Sequence, residues 1–225
     1  MIRHRTPTVV VLAAIVLAGL LGPTNAARAQ APADAVMSAV QTIERSAGAA
    51  VKVTRSSRNG LLSFVSASAA PIPVSEAATA PPEKRARAFM AAHGRAFGIA
   101  DAADLDQRKI QGLDEVGTEH VRFQQLHRGI PVTGAELIVH LRGAAVVAVN
   151  ARVVAIDATL DTKPTIAPAD ALAAAEAIIA KDFGITDAAF SPPRLEVFDR
   201  AIVDGHPDPT RLAWFVTATT AAPRR

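Results

Sequence analysis

Cysteine is absent from this chain of 225 residues, which excludes disulfide staples and thiol nucleophiles. It does not exclude export, because a chain this long can bury enough core to manage without staples. No serine sits in a Gly-x-Ser-x-Gly elbow, and no glycine-rich phosphate loop ends in lysine. The histidines are followed by Arg5, Gly94, Val121, Arg128, Leu141 and Pro207, never by glutamate. A helical His-Glu-x-x-His site, with two imidazoles one turn apart on zinc and a glutamate activating water, is therefore missing. Aromatic residues make up only 4%, and no Lys/Arg stripe interleaves with them to suggest nucleic acid.

Charge of one sign is also lacking once the amino terminus is set aside. Arg3 and Arg5 precede an apolar run from Val9 to Leu21, and Ala27-Arg28-Ala29 offers small residues where a signal peptidase reads. These features predict a signal peptide over 1–29, cleaved between Ala29 and Gln30, and a secreted or periplasmic product. Three of the 24 lysines and arginines lie in that leader, so the remainder balances the 21 acids. No second apolar run of about 18 residues follows, so no stable membrane insertion is expected after cleavage.

Residues 30–50 read as an Ala-rich leader or short helix. Val51–Thr54 and Leu61–Val65 predict a hairpin around Asn59-Gly60, a dipeptide that tolerates positive φ. A helix should open at Pro82, place Ala86, Phe89, Met90, His93 and Phe97 on one face, and stop at Gly98. Strands are expected near 105–112, 118–126, 132–142 and 145–154. A second helix should open at Pro168 with Ala171, Leu172, Ala175, Ile178, Ile179 and Phe183 on its apolar face, and stop at Gly184. Phe97-Gly-Ile-Ala-Asp-Ala-Ala103 is echoed by Phe183-Gly-Ile-Thr-Asp-Ala-Ala189. Strands at 194–203 and 211–219 would follow. The fold class is thus α+β: two small modules, each a helix packed on an antiparallel β-sheet.

The most informative block runs from His120 to Leu141. Val121 and Phe123 alternate with Arg122 and Gln124, and Leu137, Val139 and Leu141 alternate with Ile138 and His140. Gly129, Pro131 and Gly134 punctuate the crossover between these two strands. The order Arg122-x-Gln-Gln125-x-x-x-Gly129-Ile-Pro131-Val132-x-Gly134, then an apolar strand ending in His140, resembles the fungalysin/thermolysin propeptide domain. That domain belongs to the pro-regions of secreted thermolysin-like zinc metallopeptidases. The helix after Pro168 and Leu212-Ala-Trp-Phe-Val216 are similar to a PepSY domain, although Ala167 replaces the usual hydroxyl cap and Ala151 a usual glycine.

The resemblance implies a leader at 30–50, a propeptide-like domain at 51–156, a linker at 157–168 and a PepSY-like domain at 169–225, incomplete at its C-terminal end. It implies a non-catalytic pro-region that chaperones the folding of a peptidase catalytic domain and inhibits it, with no cofactor and no metal. The partner is that catalytic domain, in cis in relatives and open to action in trans here. Arg122, Gln125, Gly129, Pro131, Val132, Gly134 and Glu136 are the candidate contact residues. Their competing role is architectural: a tight crossover, a packed Ile-Pro-Val and an Arg–Gln pair. A free-standing secreted inhibitor module is one alternative. A truncated remnant of a precursor is the other, since Thr217–Arg225 stands where a final strand is expected.

Other constellations are weaker. His120, His127 and His140 are weighed as a metal cluster against a role at a sheet edge, which fits better without cysteine or matching carboxylates. Asp204-Gly-His-Pro-Asp208 lacks the later glutamate of a calcium loop and reads as a polar turn.

Overall fold

The computed structural model describes residues 8–15, 33–206 and 208–221. The expected cleavage point at Ala29 and Gln30, most of the 1–29 leader, Pro207 and the tail from Ala222 lie outside the described residues. Helices and antiparallel strands make this an α+β chain. It divides into two compact units: Asn25–Leu160 with Asp199–Thr210, and Met1–Thr24 with Asp161–Phe198 and Arg211–Arg225.

The chain's first strand, β1 (Thr8–Ile15), belongs to the second of these units. The larger unit begins with α1 (Ala33–Ala47), where Val36, Val40 and Ile43 recur at helical spacing and are buried. That settles the Ala-rich segment as a helix. β2 (Lys52–Arg55) and β3 (Leu62–Ser66) form the expected antiparallel hairpin. Asn59 does more than turn it: buried, it donates from Nδ2 to the Val153 carbonyl at 2.8 Å and accepts from the Leu61 N–H. The Ala/Pro-rich segment after it contains a short strand, β4 (Ile72–Pro73).

α2 (Pro82–His93) starts on a proline at its first position, where no intrahelical N–H is needed. Ala86, Phe89, Met90 and His93 are buried as expected, but the helix tightens to a 3₁₀ turn over Gly94–Phe97 before it ends. Gly98 then adopts φ +78°, and a Cβ there would meet Leu61 Cδ1 at 2.7 Å. Both the backbone angle and the space demand glycine.

β5 (Leu105–Gln111), β6 (Glu119–His127), β7 (Ile130–Arg142) and β8 (Ala145–Arg152) make an antiparallel meander, and β8 also pairs with β3 and β4. Val121, Phe123, Leu137, Val139, Leu141, Val146 and Val149 point inward and are fully buried against Phe89, Phe97, Ile43 and Leu62. The alternation read from the sequence thus selects the core face of this sheet. Across it, Arg87 of α2 lies 5.2 Å from the Phe123 ring centroid.

The smaller unit holds α3 (Pro168–Phe183), β9 (Ala189–Phe190), β10 (Arg194–Phe198) and β11 (Arg211–Ala221). β1 pairs antiparallel with β11 from Thr8↔Ala221 to Ile15↔Trp214. Ala171, Ala175 and Ile179 of α3 are buried, with Leu172 and Ile178 half-buried. Phe183 departs from the expected face and is 58% exposed. Each i+4 step turns a helix about 40° beyond a full circle, so the stripe has rotated off the sheet by the last turn. Gly184 closes the helix in the left-handed conformation, with its N–H on the Ala180 carbonyl.

The strand expected at 194–203 stops at Phe198. Asp199 caps a helical turn instead, α4 (Arg200–Val203), accepting from the Ala201 N–H at 2.9 Å and from Thr210 Oγ1 at 2.9 Å.

Candidate functional site

β6 and β7 join through Arg128 and Gly129, both at positive φ (49° and 83°), as a two-residue hairpin turn requires. Beyond the turn the ladder breaks. Leu126 faces Pro131, but Gln124 faces Glu136, so residues 132–135 of β7 bulge opposite Gln125 alone. Gly134 supplies the positive φ of the bulge (67°), and Val132 and Ala135 are turned into the core. The Gln124 amide fills the space, 2.6 Å from the Val132 carbonyl and 2.9 Å from that of Ala135. Arg152 donates to the Gly134 carbonyl from the neighbouring strand at 2.8 Å.

Gln125 is buried and mimics a strand: Nε2 donates to the Val154 carbonyl at 2.7 Å and Oε1 accepts from the Val154 N–H at 3.0 Å. The expected Arg–Gln pair is not the one made. Arg122 instead forms an ion pair with Glu136, its cross-strand diagonal neighbour, and both side chains are about two-fifths exposed at 43% and 40%. Gln125, Gly129, Pro131, Val132 and Gly134 therefore shape the backbone. Arg122 and Glu136 are the charged residues of the predicted set, each side chain partly exposed, and Gly129 and Gly134 are exposed as well.

At the other end of β6 and β7, two outward-pointing histidines meet. His120 and His140 are cross-strand partners whose Nδ1 atoms lie 2.6 Å apart. His120 Nε2 is 3.0 Å from Asp114 Oδ2, and His140 Nε2 is 2.8 Å from Asn150 Oδ1. Burial and the facing His120 push the His140 pKa down, while Asn150 and Asp114 oppose the shift. Asp114 is held below the usual carboxylate range, first by the Thr118 N–H and also by the Val116 N–H and His120. The histidines border a hollow of about 210 Å³ lined by Lys109, Gln111, His120, Arg122, Ile138 and His140. His127 is buried at the opposite end of β6, so the three histidines do not converge. Among the described residues no group of three or more His, Cys, Asp or Glu is arranged to hold a metal ion.

These strands carry the comparison that matters. Residues 108–153 match the Fungalysin/Thermolysin Propeptide Motif. The propeptide motif runs from β5 to the residue after β8 and so contains the turn, the bulge, the Arg122–Glu136 pair and the histidine pair. Propeptides of this family are non-catalytic and belong to secreted thermolysin-like and fungalysin peptidases. No curated protein matches the chain. Among the described residues no helix is long and apolar enough to cross a membrane.

Sequence reasoning missed Asp114, and of the three histidines weighed as a cluster only His120 and His140 meet. Alternation already put both histidines on the outer face, but only the register of β6 on β7 makes them opposite one another.

Proposed function

We propose that the chain is the non-catalytic pro-region of a secreted thermolysin-like metallopeptidase, acting as folding chaperone and inhibitor of the catalytic domain. The match of residues 108–153 to the propeptide motif carries this reading. Physical reasoning supports both roles. A tethered inhibitor acts at an effective concentration that reaches roughly the millimolar range, so a modest interface suffices until the tether is cut. A peptidase with a high folding barrier gains from a partner that binds its transition state. The signal peptide at 1–29, the domain at 51–156, the linker at 157–168 and the PepSY-like segment at 169–225 belong to the same proposal. The intact mass of the exported product tests cleavage before Gln30; a retained Met1 would count against it.

The decisive assay is action in trans. The chain from Gln30 onward, added to thermolysin, should inhibit it and speed its recovery from denaturant. Failure in both would end the pro-region reading. Within that assay Glu136→Ala is expected to weaken inhibition. Its stability cost should stay below about 1 kcal/mol, because a half-exposed ion pair is worth little. A shifted unfolding midpoint with unchanged inhibition would make the Arg122–Glu136 pair architectural.

A second reading has the same module serving a peptidase on another chain. Nanomolar inhibition in trans would support it, since an untethered interface must supply all of the affinity.

A further inference from the structure

A second hollow, of about 350 Å³, opens beside the β2–β3 turn within the larger unit. Its floor is apolar, since Leu61, Leu62, Val153 and Ile202 line it and are buried. Its rim carries Arg55, Arg58 and Arg152, all exposed, together with the Ser57 hydroxyl. Among the described residues no carboxylate lines it.

Two of these guanidiniums are held in place by backbone. Arg55 Nε donates to the Gly60 carbonyl at 2.9 Å, and Arg152 Nε donates to the Gly134 carbonyl at 2.8 Å. Each bond orients the planar fork while leaving its terminal nitrogens to donate elsewhere. Arg58 sits on a turn that is itself pinned. The Ser56 N–H donates to the Leu61 carbonyl and the Gly60 N–H to the Ser56 carbonyl, both at 2.8 Å, and buried Asn59 ties the turn to Val153. None of the three arginines makes an ion pair with a described carboxylate. The neighbouring acids are engaged elsewhere. Glu136, opposite Arg152 in register, pairs with Arg122, and Asp204, just past Ile202, pairs with Arg200. Guanidinium stays charged at any physiological pH, so the rim keeps three positive charges without a partner.

We propose that this hollow binds a phosphate monoester, its phosphate held by Arg55, Arg58 and Arg152 and its apolar substituent resting on the floor. A carboxylate offers two oxygens, which a single guanidinium fork can fill. A phosphate monoester brings about two negative charges and three acceptor oxygens, enough to engage several forks at once. The volume lies near the lower end of the roughly 300–1,000 Å³ usual for small-molecule sites, and an apolar lining with few polar groups is their ordinary composition. Anchoring the guanidiniums beforehand lowers the entropy cost of binding. The bulge of β7 gains a role here: Gly134 lies outside the paired register with β6 and β8, so its carbonyl is left to orient Arg152. The phosphate can belong to a soluble ester or to a lipid headgroup, and the site chemistry is the same. The proposal needs no peptidase and stands apart from the pro-region reading.

Calorimetric titration of the full chain with hexyl phosphate tests it. Saturable binding is expected, with hexanoate and inorganic phosphate each weaker by about tenfold or more, since one lacks the oxygens and the other the apolar contact. Arg58→Gln removes an exposed charge and should leave the unfolding midpoint in place while weakening binding about tenfold or more. Arg152→Lys keeps the charge but loses the fork, and a similar loss is expected. Lys181→Gln, which removes an exposed cation on α3, should change nothing. Absence of saturable hexyl phosphate binding would overturn the proposal, as would binding that Arg58→Gln and Arg152→Lys both retain. Equal affinity for hexanoate would overturn the assignment to phosphate, and equal affinity for inorganic phosphate the role of the floor. Sedimentation with phosphatidic acid vesicles but not phosphatidylcholine vesicles, lost in Arg58→Gln, would support the site and name a lipid headgroup. Hexyl phosphate binding without vesicle binding would support it and name a soluble ester.

Discussion

Arg85→Met should cost about 3–5 kcal/mol of stability, the range for breaking a buried charge pair from one side. Arg85 is 3% exposed on α2 yet donates to three separate acceptors. Its guanidinium meets the Ala80 carbonyl at 2.9 Å, the Gly143 carbonyl at 2.6 Å and Glu119 Oε2 at 2.6 Å. These tie the helix start to the first residue of β6 and to the β7–β8 turn. Methionine fills much of the stem's volume but leaves a shielded carboxylate and two carbonyls without donors. Glu119→Gln should cost less, because the guanidinium keeps its carbonyl partners. Adding Glu119→Leu to Arg85→Met should recover part of the loss, since the unpaired charge is the expensive element. Urea denaturation of the single and double variants measures this. A loss below about 1 kcal/mol for Arg85→Met would show that water replaces the arginine at little cost.

Gln125→Leu is expected to lower stability by about 2–4 kcal/mol, because it strips partners from two buried backbone groups at once. The Gln125 amide gives Val154 the pair of hydrogen bonds that a neighbouring strand would otherwise supply. Val154 lies just past β8 and is 2% exposed, so water does not easily take over. Inhibition by this variant should fall only in proportion to the unfolded fraction. That outcome separates Gln125 from Glu136, which shares its motif but faces outward. A stable Gln125→Leu protein with lost inhibition would move Gln125 to the contact surface and contradict the architecture described above.

The propeptide motif is legible in the amino-acid order alone. Gly129 and Gly134 supply the positive φ that the turn and the bulge need, and Val121, Phe123, Leu137 and Val139 alternate with period two. What the motif residues do is harder to read. The sequence suggests that Arg122 pairs with glutamine, yet the bulge brings Glu136 within its reach and leaves Gln125 to face Val154. A bulge shifts register by whole residues, and a side chain's partner depends on register more than on its own identity. Phe183 departs from expectation in a similar way, because a helical stripe predicts one face but not where the packed sheet ends. Asp199 shows the converse, a local capping preference that ends a strand despite the apolar residues on either side of it.

The sequence by itself determined the helix starts at Pro82 and Pro168, their stops at Gly98 and Gly184, and the buried face of β6 and β7. Each depends on backbone freedom or periodicity within a few residues, so no distant contact is needed to specify it. Tertiary structure alone decided that Arg85 meets Glu119 and Gly143, and that His120 meets His140. Those partners are far apart along the chain and chemically ordinary in isolation. Many alternative pairings share the same local pattern, and only closing the loops around one core, with its entropy cost met by burial, selects among them.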